Sequence, residues 1–425
     1  MEKYSKYKDS GVKWIGDVIP AHWKVMRGKS IFNLITERSQ SEVKIGLENI
    51  ESFTGRYVDT ETLFDSEGVQ VRVGDIVYGK LRPYLCKVWL AAFDCNAVGD
   101  FYIFRCKDEE NTKYILQLFL SHEFTGITNA STYGARMPRV SSSFILSLNF
   151  PLPPLAEQRA IVSYLDGKVG QIDTYIAKQT QQIELLKELK QAVIANAVTK
   201  GIANDNNHHT KLKQSGISWI GEIPEHWEVK RLGLFFTENK TINSCMQCTE
   251  AYKFNYGTLI RKDEDIDPNE LKDTYNKYTI LKPRDIVING LNLNYDFVSQ
   301  RVALSTSTGI ITSAYIVLSP RTRVHELFFY YLLKSMDGMK LFHGMGTGIR
   351  LTLSFKDLKY QLLPIPPLSE QRAIVSYIEA QTANIDKLID AYQQQVERIK
   401  EYKQRLISDA VTGKMNVTGK QTQTN

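Results

Sequence analysis

Long hydrophobic runs are missing from this sequence. Its apolar stretches are short, such as Ala314–Leu318, whereas a membrane-spanning helix needs about 18–20 apolar residues. The segment Met1–Ser10 is polar and lacks the apolar core of a signal peptide. Cysteine is also scarce, and five cysteines in a chain of 425 residues do not suit a disulfide framework, because their number is odd. We therefore expect a cytoplasmic protein with no membrane partner.

Complete catalytic and phosphate-binding motifs are absent as well. Gly28–Ser30 supplies the end of a Walker A loop, but Trp23 stands where the first glycine belongs. Gly344–Gly348 is glycine-rich like the adenosylmethionine loop of methyltransferases, but no Asn/Asp-Pro-Pro-aromatic tetrapeptide accompanies it. Cys245 and Cys248 make only half of a structural zinc site, which needs four ligands. We predict no catalytic, cofactor-binding or metal-binding residues and expect a binding module.

The overall composition is that of a folded, mildly basic protein. Hydrophobic residues make up 43% and charged residues 24% of the chain, which is ordinary for globular proteins. A length of 425 residues is too great for one ordinary domain. The net charge of +6, from 53 basic against 47 acidic residues, permits a nucleic-acid partner. It does not require one, because an evenly spread charge of this size is also a common solvated surface.

One unit is written twice in the chain. Residues 10–23 read SGVKWIGDVIPAHW, and residues 215–227 read SGISWIGEIPEHW. A second pair of blocks is closer still, since residues 153–165 read PPLAEQRAIVSYL and residues 366–378 read PPLSEQRAIVSYI. Two matches of this length in the same order indicate a duplication.

The inserts between these blocks, 30–150 and 235–362, share few identities. Runs typical of β-strands are Gly74–Gly79, Phe101–Cys106, Arg284–Asn289 and Ala314–Leu318. Short helical patterns cover Lys113–Ser121 and Glu326–Lys334. A repeated frame therefore carries two unlike inserts, and we expect a compact α+β domain in each half.

After each Pro-Pro pair the pattern becomes helical. Apolar residues recur alternately four and three positions apart, which is the spacing of a coiled-coil seam. The predicted helix-pairing seam consists of Leu165, Ile172, Ile176, Ile183, Leu186, Val193, Ile378, Ile385, Ile389, Val396, Ile399 and Leu406. Lys190 and Lys403 interrupt it at the equivalent place of each copy. A single long helix cannot bury such a stripe alone, so we expect the two helices to pair; alternatively, each packs on its own domain.

These patterns predict an α+β fold in which two mixed α/β domains are separated by two long antiparallel coiled-coil helices, as a pseudo-twofold tandem repeat. Gly201 and Gly413 are the expected ends of the helices. The predicted division is 1–152 for the first domain, 153–203 for the central helix, 204–210 for a polar linker, 211–364 for the second domain, 365–416 for the C-terminal helix and 417–425 for a polar tail.

Two loops in each insert carry side chains that suit DNA. The candidates in the first insert are Lys80, Arg82, Tyr84, Tyr133, Arg136 and Arg139. Those in the corresponding places of the second insert are Asn292, Asn294, Tyr295, Thr347 and Arg350. Arginine matches guanine edges and phosphate, and asparagine matches adenine edges. A single loop of this kind is commonly an ordinary solvated turn, and the parallel placement in both units leaves both interpretations open.

The four repeated blocks resemble those of the specificity subunits of Type I restriction-modification enzymes, over nearly the whole chain. The resemblance rests on four motifs. SGVKWIGDVIPAHW and SGISWIGEIPEHW stand at the start of the units, and PLPPLAEQRAIVSYL and PIPPLSEQRAIVSYI stand at the start of the helices. The resemblance implies that each insert is a target-recognition domain that reads one half of an asymmetric, interrupted DNA site. It also implies that the helices hold these domains a fixed distance apart.

The same resemblance implies partners. These are double-stranded DNA, two methyltransferase subunits that use S-adenosylmethionine to methylate adenine, and restriction subunits that add ATP-driven translocation and cleavage with magnesium. The catalytic and cofactor residues would lie on those other chains.

Two further interpretations stay open at this point. One is a self-contained DNA methyltransferase or nuclease with degenerate motifs, which an activity assay on the purified chain would reveal. The other is a protein-binding scaffold without a DNA role. Salt-dependent binding to duplex DNA would argue against the scaffold, because phosphate contacts release counterions.

Overall fold

The structure is a computed structural model in which the chain divides into two compact units. Unit 1 comprises Met1–Thr180 and Gln393–Asn425, and unit 2 comprises Gln181–Tyr392. The predicted linker 204–210 lies outside the described residues. The residues that the structure describes are 3–12, 14–39, 41–62, 64, 66–202, 211–262, 270–294, 296–298, 300–321, 324–346, 348 and 351–418.

Unit 1 begins with short strands and ends in helices. Its strands are β1 (Tyr7–Asp9), β2 (Val18–Pro20), β3 (Lys24–Arg27), β4 (Phe32–Ile35), β5 (Arg38–Ser39), β6 (Lys44–Ile45), β7 (Gly68–Val71), β8 (Ile76–Gly79), β9 (Val88–Leu90), β10 (Cys95–Ala97), β11 (Phe101–Cys106) and β12 (Asn149–Leu152). Its helices are α1 (Gly28–Ile31), α2 (Thr112–Phe119), α3 (His122–Ala130), α4 (Ser142–Ser147), the first part of α5 (Leu155–Lys200) and the last part of α9 (Leu368–Val411).

Unit 2 repeats this order. Its strands are β13 (Leu212–Gln214), β14 (Glu222–Pro224), β15 (Glu228–Arg231), β16 (Phe236–Glu238), β17 (Tyr252–Asn255), β18 (Thr258–Arg261), β19 (Thr279–Leu281), β20 (Ile286–Ile288), β21 (Val302–Leu304), β22 (Gly309–Ile311), β23 (Ile316–Pro320) and β24 (Leu362–Ile365). Its helices are the last part of α5, α6 (Lys272–Tyr275), α7 (Glu326–Gly338), α8 (Phe355–Leu358) and the first part of α9.

The main sheets of the two units have the same topology. Unit 1 has an antiparallel sheet in the order β4-β11-β8-β9, and unit 2 has one in the order β16-β23-β20-β21. The frame strands also correspond, because β3 pairs with β12 and β15 pairs with β24. Unit 1 has a second four-stranded sheet, β5-β7-β10-β6, where unit 2 has the pairs β17-β18 and β19-β22. The predicted α+β tandem repeat with two long helices is confirmed.

Three of the predicted strands begin later than their hydrophobic pattern indicated, and one of them, β23, begins at Ile316 and not at Ala314. β8 begins at Ile76 and not at Gly74, and β20 begins at Ile286 and not at Arg284. Gly74 and Arg284 have positive φ angles of 87° and 79°, which belong to a turn and not to a strand. The buried Asp75 closes this turn by accepting a hydrogen bond of 2.8 Å from the backbone N–H of Arg72.

A glutamate near the start of each long helix holds the repeated tryptophan. In unit 1, Glu157 of α5 accepts hydrogen bonds from Trp23 Nε1 (3.0 Å) and Tyr4 Oη (2.5 Å) and lies 2.7 Å from His22 Nε2. Burial and the contact with Glu157 raise the pKa of Tyr4 above its usual value, so Tyr4 remains a donor. Three partners therefore satisfy a buried carboxylate, as a charge removed from water requires.

Unit 2 repeats this arrangement. Glu370 of α9 accepts a hydrogen bond of 3.0 Å from Trp227 Nε1 and lies 2.7 Å from His226 Nε2. The following glutamines act alike, since Gln158 and Gln371 each donate from Nε2 to the carbonyl of the first proline of their Pro-Pro pair at 2.9 Å. The repeated blocks are thus the two sides of one hydrogen-bonded joint.

Each tryptophan also packs against the glycine that follows a long helix. Gly413, just past α9, has φ +77° and lies so close to unit 1's Pro20 and Trp23 that an added Cβ would stand 2.3 Å from Pro20 Cδ. Gly201, just past α5, has φ +78° and faces Trp227 in unit 2. Residues beyond α9 continue into the core of unit 1, where Val417 is buried. Glycine is required because only it combines a left-handed backbone with this close approach.

The long helices lie antiparallel within each unit. In unit 2, Lys190 of α5 contacts the Asp386 carboxylate of α9 at 2.7 Å, and Ile183, Ile385 and Ile389 form one buried cluster. In unit 1, Lys403 of α9 donates to Asp173 of α5 at 2.7 Å.

The two lysines of the seam are thus repeat-related and bind repeat-related aspartates. The pair in unit 1 is more enclosed, because the Lys403 side chain is 8% exposed and that of Lys190 is 31% exposed. Arg56 also donates to Asp173 at 2.7 Å, so unit 1 has a charged triad where unit 2 has a simple pair.

We expect Gly413→Ala to destabilise unit 1 by about 2–4 kcal/mol, because the new methyl group adds a clash with Pro20 to the left-handed backbone penalty. Gly216→Ala is the matched control, since Gly216 has φ +71° but a methyl group added there would meet no atom within 4 Å. This control should lose only about 1–2 kcal/mol. The midpoint of thermal unfolding measures both effects, and equal losses would contradict the contact.

Exchanging the charges within each ion pair should distinguish the pair in unit 2 from the pair in unit 1. Lys190→Asp places two carboxylates together and should lower the melting midpoint, and adding Asp386→Lys should restore it, because that pair is simple. Lys403→Asp should cost about 3–5 kcal/mol, and adding Asp173→Lys should not restore it, because Arg56 would then face a lysine. Thermal unfolding of the four variants is the measurement. Full rescue in both units would show that Arg56 does not act on this site.

Candidate nucleic-acid interface

The candidate loops of unit 1 are held together by backbone pairing. The loop after β8 meets the loop 133–139 through a β-bridge between Leu81 and Arg139. Arg82 N–H donates to the carbonyl of Pro138 at 2.8 Å, and Tyr133 and Arg139 exchange both backbone hydrogen bonds at 3.0 Å. Segment 133–139 is therefore a closed hairpin, with Gly134 at φ +89° on its turn.

Arg139 is occupied within the protein. Its guanidinium donates to both Asp100 oxygens at 3.0 and 2.9 Å, and this hydrogen-bonded pair holds the pKa of Asp100 below its usual value. Lys80 lies 3.8 Å from Asp100 and 5.2 Å from the centre of the Tyr102 ring. The arrangement makes Arg139 a residue that positions the hairpin.

The other candidates of unit 1 point to the surface. Arg136 is exposed at the hairpin tip and has no ion-pair partner among the residues that the structure describes. Tyr133 and Tyr84 are both exposed. Arg82 is exposed as well and adopts a left-handed backbone with φ +51°. These four side chains are free to contact a ligand that approaches the paired loops.

Unit 2 has the same backbone with other side chains. Asn292 occupies the place of Arg82 and has the same φ of +51°. The backbone bond that Val140 makes to the carbonyl of Lys80 in unit 1 (3.2 Å) is made by Leu353 to that of Gly290 (2.8 Å). A Cβ at Gly290 would stand 2.6 Å from the Leu353 carbonyl oxygen, so this position accepts only glycine.

A buried arginine supports the loop 289–301, which carries Asn292 and is called the asparagine loop below. Arg301 is 1% exposed, and its guanidinium donates to the carbonyls of Asn289 (3.1 Å), Leu291 (2.8 Å) and Asp296 (2.8 Å). Its backbone N–H donates to Asp337 at 2.6 Å. Because a planar guanidinium has five donors in fixed directions, it can hold several carbonyls of one loop at once. The spacing of charges in the sequence did not reveal Arg301, because its hydrogen-bond partners are mainly backbone carbonyls; the Asp296 carboxylate lies 3.8 Å from its guanidinium.

The remaining candidates of unit 2 are only partly described. Asn292 is exposed and Asn294 is half-buried. Tyr295, Thr347 and Arg350 lie outside the described residues.

Unit 2 also has a basic surface that the sequence did not indicate. Arg321 and Lys359 line a shallow cleft of about 480 Å³ together with Lys240, which pairs with Glu238. Lys359 lies 4.7 Å from the ring centre of Tyr360, over which Arg231 also stacks. Among the described residues, Arg231, Arg321 and Lys359 have no acidic partner in an ion pair. These three cations are distant in the sequence, so only folding reveals the cluster.

The cysteines do not form a reactive or metal-binding centre among the described residues. All five are free thiols, and the described chain has no cluster of three or more His, Cys, Asp or Glu residues suited to a metal ion. Burial raises the pKa of Cys86 and of Cys106 to about 11 and that of Cys95 to about 12.

Of the helices within the described ranges, none combines the length and hydrophobicity that a membrane span requires.

The predicted seam residues are all buried or partly buried in the structure. Leu165 and Leu406 belong to the core of unit 1, and Ile378 belongs to that of unit 2. Ile183, Ile385 and Ile389 form a separate cluster that Leu186 and Val193 flank. The structure thus brings seam residues of α5 and α9 together within each unit.

Comparison with known proteins agrees with this geometry. The family model described as "Type I restriction modification DNA specificity domain" matches residues 20–185 and 224–398. The chain belongs to this family. Its two matched segments coincide with the duplicated frame and the unlike inserts.

Relatives match over most of their length. The chain is 25% identical to the Type I restriction enzyme MjaVIII specificity subunit of Methanocaldococcus jannaschii, over 97% of each protein. It is 25% identical to the Type I restriction enzyme EcoBI specificity subunit of Escherichia coli, over 82% of this chain and 75% of that protein. A chain from a solved type I restriction-modification system superimposes with a TM-score of 0.70 at 19% identity, covering 93% of this chain and 99% of that one, and shows the same fold.

As a member of the specificity family, the chain is a non-catalytic, DNA-specificity subunit. This membership does not favour a self-contained methyltransferase or nuclease, or a scaffold without a DNA role.

We expect Arg301→Met to disorder the asparagine loop, because it leaves buried carbonyls without donors at a cost of about 3 kcal/mol or more. The melting midpoint of unit 2 should fall, and DNA recognition by this unit should weaken. Arg284→Met is the matched control, since the Arg284 side chain is largely exposed and pairs with Glu326 at the surface. That control should lose at most about 1 kcal/mol. If Arg301→Met melts like the control, Arg301 does not support the loop.

Proposed function

We propose that each unit reads one half of an asymmetric, bipartite DNA site. In this proposal residues 1–152 and 211–364 are the two target-recognition domains. Residues 153–203 and 365–416 are the spacer helices, 204–210 the linker and 417–425 the tail. The supporting observation is that equivalent backbones present different side chains. Arg82 and Asn292 share one left-handed conformation at the same place after equivalent strands. Unlike side chains on equivalent loops would select unlike bases.

Base readers and phosphate contacts would be different residues. Arg136 and Asn292 are exposed at loop tips and suit base edges, since arginine pairs with guanine and asparagine with adenine. Arg231, Arg321 and Lys359 suit phosphates, because they form a basic surface without acidic partners in the described chain. Lys80, Tyr84, Tyr133, Asn294, Tyr295, Thr347 and Arg350 stay candidates for DNA contacts, and Arg139 acts by holding the hairpin.

The partners would be two methyltransferase subunits and the restriction subunits that add translocation and cleavage. S-adenosylmethionine, ATP and magnesium would bind to those chains, and the complex would act in the cytoplasm. Leucines outside the seam support docking on the helices: Leu185, Leu189 and Leu388 are about half-exposed. Exposed leucines at i and i+4 on one helix form a surface for another protein. The paired helices would set the spacing between the half-sites.

Exchanging one loop residue at a time tests the assignment of half-sites. Arg136→Ala should relax one position of the first half-site, and Asn292→Gly should relax one position of the second. Glycine keeps the left-handed backbone of Asn292 and removes only the amide. Each loss should cost about 1–3 kcal/mol in discrimination. Sequencing of adenines methylated in a randomised DNA library by the reconstituted complex measures both changes.

Arg72→Ala is the control for Arg136→Ala. Arg72 is an exposed arginine of unit 1 that precedes β8, whereas the candidate loop follows the other end of that strand. It should leave both half-sites unchanged. A single substitution that altered both half-sites equally would refute the division of labour.

A further inference from the structure

The asparagine loop of unit 2 is longer than its counterpart in unit 1. Residues 289–301 connect β20 to β21, whereas residues 80–87 connect β8 to β9, which is 13 residues against 8. The additional length brings two apolar residues, Phe297 and Val298, to the loop. They lie on the same segment as Asn292, which the proposed function assigns to base reading.

Phe297 and Val298 are placed in solvent. The side chain of Phe297 is 57% exposed, and that of Val298 is 84% exposed. Single exposed apolar residues are common at protein surfaces, but two consecutive ones at the tip of a binding loop suggest a contact. If a ligand covered these two side chains, their apolar surface would be removed from water, which is energetically favourable.

The aromatic ring is held in one orientation. Phe297 stacks on His343 with a centroid distance of 4.6 Å and an angle of 19° between the rings. His343 Nε2 lies 3.1 Å from the carbonyl oxygen of Asp296. Arg301 donates to the same carbonyl at 2.8 Å, so a buried cation fixes the backbone directly before Phe297. The tip is therefore preorganised, which lowers the entropic cost of binding.

We propose that Phe297 and Val298 form an apolar wedge that enters the duplex at one base-pair step of the second half-site. This inference rests on the proposed function, in which the asparagine loop faces DNA. DNA is the occupant that the neighbouring residues favour, because the wedge shares its loop with the exposed Asn292, and the equivalent loop of unit 1 presents Arg82 and Tyr84. Phenylalanine is a common wedge residue because its ring stacks on base faces.

The wedge makes base stacking differ between the two half-sites of the bound DNA. The shorter loop of unit 1 presents the exposed Tyr84 and has no consecutive apolar pair like Phe297 and Val298, so the apolar wedge is confined to the second half-site. Methyltransferases extrude the base that they modify. A step that is already unstacked lowers the cost of extrusion at a neighbouring adenine.

The test uses the full chain assembled with its methyltransferase subunits and a duplex that contains the site found by methylation mapping. 2-Aminopurine is placed in turn at each adenine of both half-sites except those that become methylated, because its fluorescence rises when a base loses stacking and the methyltransferase subunits extrude the methylated adenines themselves. Wild-type complex should raise the fluorescence at one step of the second half-site only. Phe297→Ala should abolish this rise and weaken binding by about tenfold or more. Phe297→Trp, which keeps a stacking ring, should retain the rise.

Two further variants keep the result interpretable. Val298→Ser changes the most exposed residue of the tip, and should reduce the fluorescence rise without affecting the melting midpoint. Leu212→Ala is the control, because Leu212 is also exposed in unit 2 but belongs to β13 of the frame. It should leave the rise unchanged.

The outcomes separate the wedge from the proposed function. If the complex methylates its site while every probe stays stacked, or if Phe297→Ala leaves the rise unchanged, the wedge is wrong and the half-site assignment stands. If Arg136→Ala and Asn292→Gly also leave the site unchanged, the assignment of the loops to DNA is wrong, and the wedge falls with it.

Discussion

A hydrogen-bonded carboxylate at the start of each long helix, buried in unit 1 and one-quarter exposed in unit 2, is the contact on which the frame depends. Glu157 and Glu370 each hold the tryptophan and histidine of the repeated His-Trp pair. Leaving the buried Glu157 without its donors would cost several kcal/mol, so in unit 1 the strand segment and the helix must be present together. Each tryptophan also packs against a helix-ending glycine, Gly413 or Gly201. One indole therefore joins the beginning of one helix to the end of the other.

This frame separates stability from specificity. The joint, the helix ends and the main sheets are repeated in both units, and they need the same residues because the same buried donors and acceptors must be satisfied. The loop tips carry exposed side chains, whose exchange leaves the core untouched. Arg82 and Asn292 illustrate this, because they share a backbone conformation and differ in the donors and acceptors of their side chains.

Charged residues under the loops give them a fixed shape by different means. Unit 1 closes its hairpin with the bidentate pair of Arg139 and Asp100 at the surface. Unit 2 uses the buried guanidinium of Arg301, which holds backbone carbonyls. Both arrangements use a basic residue to fix geometry, so the number of arginines near a loop overstates the number available to contact DNA.

The sequence alone determined the duplication, the two long helices, their apolar seam and the family resemblance. These features are periodic or local: a heptad repeat is visible without knowledge of what covers it, and Gly201 and Gly413 end helices by their own backbone freedom. The strands were found to within a few residues, with β8 and β20 shortened by turns whose positive φ angles the hydrophobic pattern does not report.

Only the tertiary structure decided which residues the helix ends meet and which cations remain free. Val411 accepts a hydrogen bond of 2.9 Å from Tyr114, and the two residues are 297 positions apart. Arg139 was a candidate for DNA contact by its residue type, but its partner Asp100 is 39 positions away. Arg231, Arg321 and Lys359 form one surface from three distant segments. Partners that are far apart in the chain form no recognisable sequence pattern. Their separation in space is set by the folded backbone and not by the number of residues between them.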